Sequence, residues 1–217
     1  MIKRNSRLRM YKFGVVSLFY TFVLLTGWER QVSDKLPQCE FFLFDKNMEQ
    51  ISAAKEQARK QQDFNQKLHF LPKKLVASKR ESNLDTEWTF ADLANKFRHK
   101  TVDFLKIDMD FDEYQVLPSV IRYLDSHVNF TVCQLLLDTH FMGFSRFTQL
   151  LCDLEEVGFQ MIAKQSVPCA PHELISPNRK VGSCQQFSYI HQDCLRVYNL
   201  DISDIVRHNF QRDDYDE

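Results

Sequence analysis

Three side chains in this sequence stand where sheet proteins do their chemistry: Asp45, Asp108 and His140. Each ends or follows a short apolar run. Phe41, Phe42, Leu43 and Phe44 precede Asp45; Phe104, Leu105 and Ile107 lead to Asp108; Leu135, Leu136 and Leu137 lead to Asp138 and His140. Such runs read as buried strands, and ligands of open α/β sheets bind at the carboxyl ends of the strands. Asp45 can contact a ligand there, or it can cap a following helix, a task Asp performs well. Asp108 can be a ligand contact or part of a solvated turn. His140 can act as a base, or it can make a structural hydrogen bond. The cysteines, Cys39, Cys133, Cys152, Cys169, Cys184 and Cys194, form no C-x-x-C pair and no His/Cys ligand spacing, so no metal site is expected.

The elements that must hold these residues alternate between strand and helix. Strands are expected at residues 38–45, 68–71, 74–77, 102–108, 131–138, 159–163 and 186–191. Residues 47–64 lack Pro and Gly and are rich in Ala, Gln, Glu, Lys and Arg, which predicts an exposed helix. Phe90, Leu93, Ala94 and Phe97 recur at helical spacing within 89–97. Further helices are expected at 114–124 and 147–157, the latter stopped by Gly158. Pro168, Pro171 and Pro177 mark a loop. This alternation predicts a mostly parallel sheet built from crossover units. The two most apolar strands, 102–107 and 132–137, should lie at its centre.

The formal net charge of −1 hides an asymmetry. Lys3, Arg4, Arg7, Arg9 and Lys12 make the first twelve residues basic, so the body is mildly acidic and offers no footprint for nucleic acid. Residues 10–28 carry one charge, Lys12, and are apolar all round. A basic cluster before such a run reads as an uncleaved signal-anchor, which places the following body in the secretory-pathway lumen or outside the cell. A cleaved signal peptide and a buried core helix are the alternatives. The expected organisation is a basic N-terminus with an anchor helix at 1–28, an α/β domain at 29–206 and a charged tail at 207–217. In a lumen disulfides are allowed. One pair among Cys169, Cys184 and Cys194 is expected, with Cys133 and Cys152 as buried thiols.

Leu105-Lys106-Ile107-Asp108-Met109-Asp110-Phe111-Asp112-Glu113 resembles the L-K-I-D-x-E-G-x-E signature of the FkbM-like S-adenosylmethionine-dependent methyltransferases. Gln134-Leu135-Leu136-Leu137-Asp138-Thr139-His140 is similar to the family's Q-L-L-x-E-x-H strand. Leu154-Glu155-Glu156-Val157-Gly158-Phe159 and Gln186-Phe187-Ser188-Tyr189-Ile190 resemble the steps that follow. The likeness is nearest to the animal secretory-pathway branch and covers residues 38–192. It implies a Rossmann-like sheet whose last two strands pair antiparallel at one edge. It implies S-adenosylmethionine as cofactor, with Asp45 on the ribose hydroxyls, because a carboxylate can accept from both. Asp108 and Asp110 then lie near the methyl-transfer centre, with His140 as a candidate base.

Two departures from the family shape the expectation. Between the apolar run and the strand at 38–45 lie only nine residues, 29–37, without Gly, so the family's first strand and Gly-rich turn are expected to be missing. Phe111 stands at the signature Gly. The sequence therefore predicts a truncated sheet and an incomplete pocket that binds S-adenosylmethionine weakly. Two functions follow: a membrane-anchored methyltransferase acting on a glycan, lipid or small-molecule oxygen, or a catalytically dead luminal binding protein.

Overall fold

A computed structural model describes residues 9–14, 34–35, 39–45, 47–59, 68–80, 85–109, 112–140, 144–167 and 184–198. Nine strands and five helices are named here in chain order: β1 (Arg9–Gly14), β2 (Glu40–Phe44), α1 (Met48–Arg59), β3 (Leu68–Leu71), β4 (Lys74–Leu75), β5 (Glu87–Trp88), α2 (Phe90–Phe97), β6 (Thr101–Asp108), α3 (Glu113–Ser126), β7 (Thr131–His140), α4 (Phe144–Glu156), β8 (Phe159–Val167), β9 (Cys184–His191) and α5 (Gln192–Tyr198). Seven strands form one sheet in the order β3-β2-β1-β6-β7-β9-β8, and β4 with β5 forms a small parallel pair.

The sheet is parallel from β3 through β7. It becomes antiparallel at β9, which pairs with both β7 and β8. The strands at 102–107 and 132–137 are parallel neighbours away from both edges, and the last two strands pair antiparallel, both as expected.

The expected truncation is corrected. Arg9–Gly14 forms a strand in the middle of the sheet, hydrogen-bonded to β2 on one side and β6 on the other. The first residues of the anticipated anchor helix are therefore sheet, and the α/β domain takes in residues assigned above to a separate N-terminal unit. An apolar run without a two-residue alternation gives no period to distinguish strand from helix. Residues 15–28 of that run lie outside the described residues, as do the Pro-rich loop and the tail at 207–217. Among the described residues no helix is long and apolar enough to cross a membrane.

One face of the sheet carries the core. Leu105 and Ile107 of β6, and Leu135 and Leu137 of β7, are almost fully buried. They meet Leu93 of α2, Leu117 of α3 and Leu154 of α4 in one apolar cluster. Each such side chain contributes roughly 1.5–3 kcal/mol by leaving water. The alternate residues Lys106, Leu136 and Asp138 are only half-buried and belong to the other face. There a smaller cluster of Ile162, Ile190 and Leu195 packs α5 onto the antiparallel edge.

Local signals set the helix ends. Thr89 caps α2 in a capping box: its hydroxyl accepts the Asp92 N–H at 3.2 Å, and the Asp92 carboxylate accepts the Thr89 N–H at 2.7 Å. Helix α4 stops at Gly158, whose φ of 92° is left-handed. The cysteines depart from expectation. Cys133 in β7 is bonded to Cys194 in α5, across 61 residues of sequence. Cys184 is disulfide-bonded as well. Cys152 is a free, exposed thiol, because it lies on the outer side of α4.

Candidate functional site

The strand order reverses between β1 and β6. From β1 the chain builds outward through β2 and β3, and it then crosses to β6 and β7. Parallel strands that part in opposite directions leave a crevice at their carboxyl ends, and this is where ligands of such sheets settle. Gly14 ends β1 and is the register partner of Asp108, which ends β6. Asp45 follows directly on β2. Two of the expected site residues and one glycine therefore line the same edge of three adjacent strands. Asp110 lies outside the described residues.

Asp45 is half-buried. Its Oδ1 accepts the Asn47 N–H at 2.7 Å, and Asn47 Oδ1 accepts the Glu49 N–H at 2.9 Å. The helix cap is thus Asn47, whose carbonyl also receives the Ile51 N–H at 3.1 Å. Asp45 braces the cap with one oxygen while its other oxygen is buried at the strand end. Capping the helix is accordingly not the task of Asp45 itself.

His140 is the last residue of β7. Its partner is Glu113, the first residue of α3. Glu113 Oε1 accepts the His140 backbone N–H at 2.8 Å and lies 3.1 Å from the ring Nδ1. Glu113 is fully buried, while the imidazole side chain is 14% exposed. The expected structural hydrogen bond of His140 is present, and it runs through a charged partner. Neighbouring loops support the start of α3: Asp112 caps it without a side-chain hydrogen bond, and its carboxylate pairs instead with the Lys74 ammonium at 2.5 Å. That pair ties the small β4–β5 sheet to the helix beside the crevice.

Lys106 and Asp138 form a second charged pair, 3.1 Å apart, on the half-buried face of the two central strands. Lys106 is in register with Leu136, so Asp138 is its diagonal neighbour. Charges this far inside a central sheet mark a face that is not sealed by apolar packing. Sequence reasoning placed both residues in strands but gave them no role, and it gave none to Glu113. Glu113 stood in the sequence only as the last position of the L-K-I-D-x-E-G-x-E resemblance, and an acid in the first turn of a helix is common for electrostatic reasons, so its contact with His140 was not foreseen. Among the described residues no group of His, Cys, Asp and Glu could hold a metal ion.

No protein-family model matches the sequence, and no curated protein matches it. Solved structures of similar shape include methyltransferase FkbM from Methylobacillus flagellatus KT, with a TM-score of 0.49 and 11% identity over 83% of this chain and 43% of that one. They include the precorrin-6y C5,15-methyltransferase from Geobacter metallireducens GS-15, at 0.48 and 11% over 85% and 80%. TrmK of M. capricolum, in complex with S-adenosyl-homocysteine, scores 0.49 at 6% identity over 85% and 62%. Likeness at this level assigns neither a family nor an activity, and the fold rests on the chain's own strand order.

Proposed function

We propose that this chain is an S-adenosylmethionine-dependent methyltransferase of the FkbM-like kind, acting on an oxygen acceptor in an oxidising compartment. The observation that carries the reading is β1. The sequence suggested that the first strand was missing and the pocket incomplete. With Arg9–Gly14 between β2 and β6, the switch-point crevice has both walls, and a glycine ends the first strand beside Asp108. A backbone without a side chain at that point allows a ligand to approach closely.

The residues present fit the cofactor. Asp45 offers a carboxylate at the end of the second strand for vicinal ribose hydroxyls. Gly14 leaves room at the end of the first, and Asp108 places a negative group beside it. When bound, the cofactor supplies an electrophilic methyl group on a sulfonium. The protein then has to hold the acceptor in line and exclude water, a positioning task that can contribute several kcal/mol without a catalytic triad. The Cys133–Cys194 bond supports an oxidising compartment, because disulfides are rare where thiols are kept reduced. A separate anchor finds less support. With residues 10–14 in the sheet, the fourteen residues 15–28 fall short of the roughly 20 that a spanning helix needs.

Isothermal calorimetry with S-adenosylhomocysteine on the purified chain tests the reading. Micromolar binding is expected. Asp45→Asn keeps an oxygen for the Asn47 N–H but loses the charge, and it should weaken binding by roughly 10- to 100-fold, as for a lost hydrogen bond to a charged group. No heat at millimolar ligand from folded protein would reject the methyltransferase reading and favour a binding protein of another kind.

A further inference from the structure

The link from α3 to β7 is a tight turn, His127 to Phe130, at the amino edge of the sheet. The Phe130 N–H donates to the His127 carbonyl at 2.8 Å, which makes Val128 and Asn129 the central residues. Both ends of the turn are held. Phe130 is buried edge-on against Phe90 and Tyr123, with ring centroids 5.6 Å away in each case. His127 stacks on Tyr123 at 3.9 Å. With its flanks anchored, the turn presents its centre to solvent: Val128 is 88% exposed, and Asn129 beside it is exposed too. Asn suits such a position because its short polar side chain tolerates turn backbone.

Asn129-Phe130-Thr131 has the N-x-[ST] spacing of an N-linked glycan acceptor. Triplets of this kind also arise by chance, and what distinguishes this one is its place. A glycan is bulky and hydrated, so the folded chain must leave room for it. The buried middle residue faces the core while Asn129 faces water. The crevice is at the opposite edge. Strand β7 runs ten residues from Thr131 to His140, roughly 30 Å at the rise of a strand. A group on Asn129 leaves the crevice open.

The third residue of the triplet sets the timing. Thr131 is half-buried, is in register with Thr101 of β6, and its N–H donates to the Lys100 carbonyl at 2.9 Å. A transferase has to engage Asn129 and the Thr131 hydroxyl together, so it must act before β7 docks on β6.

We propose that Asn129 carries an N-linked glycan, added to the nascent chain and held at the edge of the sheet away from the crevice. This rests on the oxidising-compartment part of the proposed function. The donor class is an oligosaccharide on a polyprenyl diphosphate. Asn129 Nδ2 loses one proton to the transferase and forms a bond to the anomeric carbon of the sugar. The bond from that carbon to the diphosphate oxygen breaks, and the diphosphate leaves with the electron pair. The first sugars then lie over Val128.

Peptide mapping of the full chain from cultured secretory cells tests the site. Glycosidase release in heavy-oxygen water converts a glycosylated Asn to heavy-labelled aspartate. The wild type should carry the label at position 129 in most copies. Thr131→Val keeps the β-branched shape that starts β7 but removes the hydroxyl, and it should lose the label; Thr131→Ser should retain it. Arg146→Asn, combined with Asn129→Gln, is the control for compartment. It creates the same Asn-Phe-Thr triplet on α4, where residue 146 and Thr148 are exposed. Label at 146 but none at 129 in the wild type would overturn the site and leave the compartment standing. No label at either position would overturn both. Neither outcome touches the methyltransferase reading, which S-adenosylhomocysteine binding decides by itself.

Discussion

Cys133 and Cys194 join the central strand β7 to the last described helix, α5, with their Cα atoms 5.4 Å apart. The bond closes a loop of 61 residues that contains α4 and the antiparallel strands. In the chain-entropy model a loop of that length stabilises the fold by about 4 kcal/mol. Cys133→Ala with Cys194→Ala should therefore lower the urea midpoint, with a loss of about 2–4 kcal/mol. A loss below about 0.5 kcal/mol would show that the bond does little for the fold.

Asn129 provides a test of compartment. Asn129-Phe130-Thr131 fits the N-x-[ST] acceptor pattern. Its closeness to a buried strand made its access doubtful from sequence. In the structure Asn129 is exposed in a turn closed by the Phe130 N–H on the His127 carbonyl at 2.8 Å, while Phe130 is buried. Translation with sealed microsomes should give a glycosidase-sensitive shift that Asn129→Gln abolishes. An unshifted band would count against a luminal body.

Gly158→Ala should destabilise the fold by about 1–2 kcal/mol, the cost of placing an L side chain in the left-handed region. An added Cβ would come within 2.9 Å of Gln192 Nε2, the end of a flexible side chain that can move aside. The backbone conformation therefore dominates the cost. Gly158→Asn should lose less, because Asn tolerates that conformation better. Equal losses for the two variants in urea denaturation would shift the blame to packing.

The capping box of α2 predicts a pH dependence. Burial pushes the Asp92 carboxyl up, but hydrogen bonds from Lys79 and Thr89 outweigh it and hold Asp92 below its ordinary value of 3.8. A group with a depressed folded value stabilises the fold above its unfolded value and loses that contribution as pH falls through the folded one. The Asp92 contribution should thus be complete above about pH 4 and fade below it. Carbon-13 titration should find Asp92 moved upward in Lys79→Met, whose side chain cannot make the 2.8 Å ion pair. An unchanged titration would show that Lys79 has no part in it.

Much of the sheet was legible from residues alone. The apolar runs at β2, β6 and β7, the periodic helices α2 and α3 and the glycine after α4 announce themselves through short-range rules of burial and capping. Alternation along β7 also shows which face is sealed. Leu136 falls within the apolar run yet is half-buried, whereas Leu135 and Leu137 are in the core. Leu137→Asp, and not the same change at Leu136, is therefore the substitution that would place a charge in the core.

The rest was decided by contacts between distant parts of the chain. Arg9–Gly14 bridges the basic cluster and the apolar run and shows no strand alternation, so only pairing with β2 and β6 makes it a strand and not the start of a helix. Cys133 gains its partner because β7 and α5 pack together, a fact no cysteine spacing contains. Asp45 and Asn47 could each cap a helix by residue type, and the hydrogen bonds assign the cap to Asn47. Glu113 and His140 belong to two separate motifs in the sequence. They become one pair only because β6 and β7 are parallel neighbours, which brings the first turn of α3 to the end of β7. The sequence by itself determined where polar groups end apolar strands, since burial and backbone propensity act locally. Which of those groups face one another depended on strand order, and strand order is a property of the folded sheet.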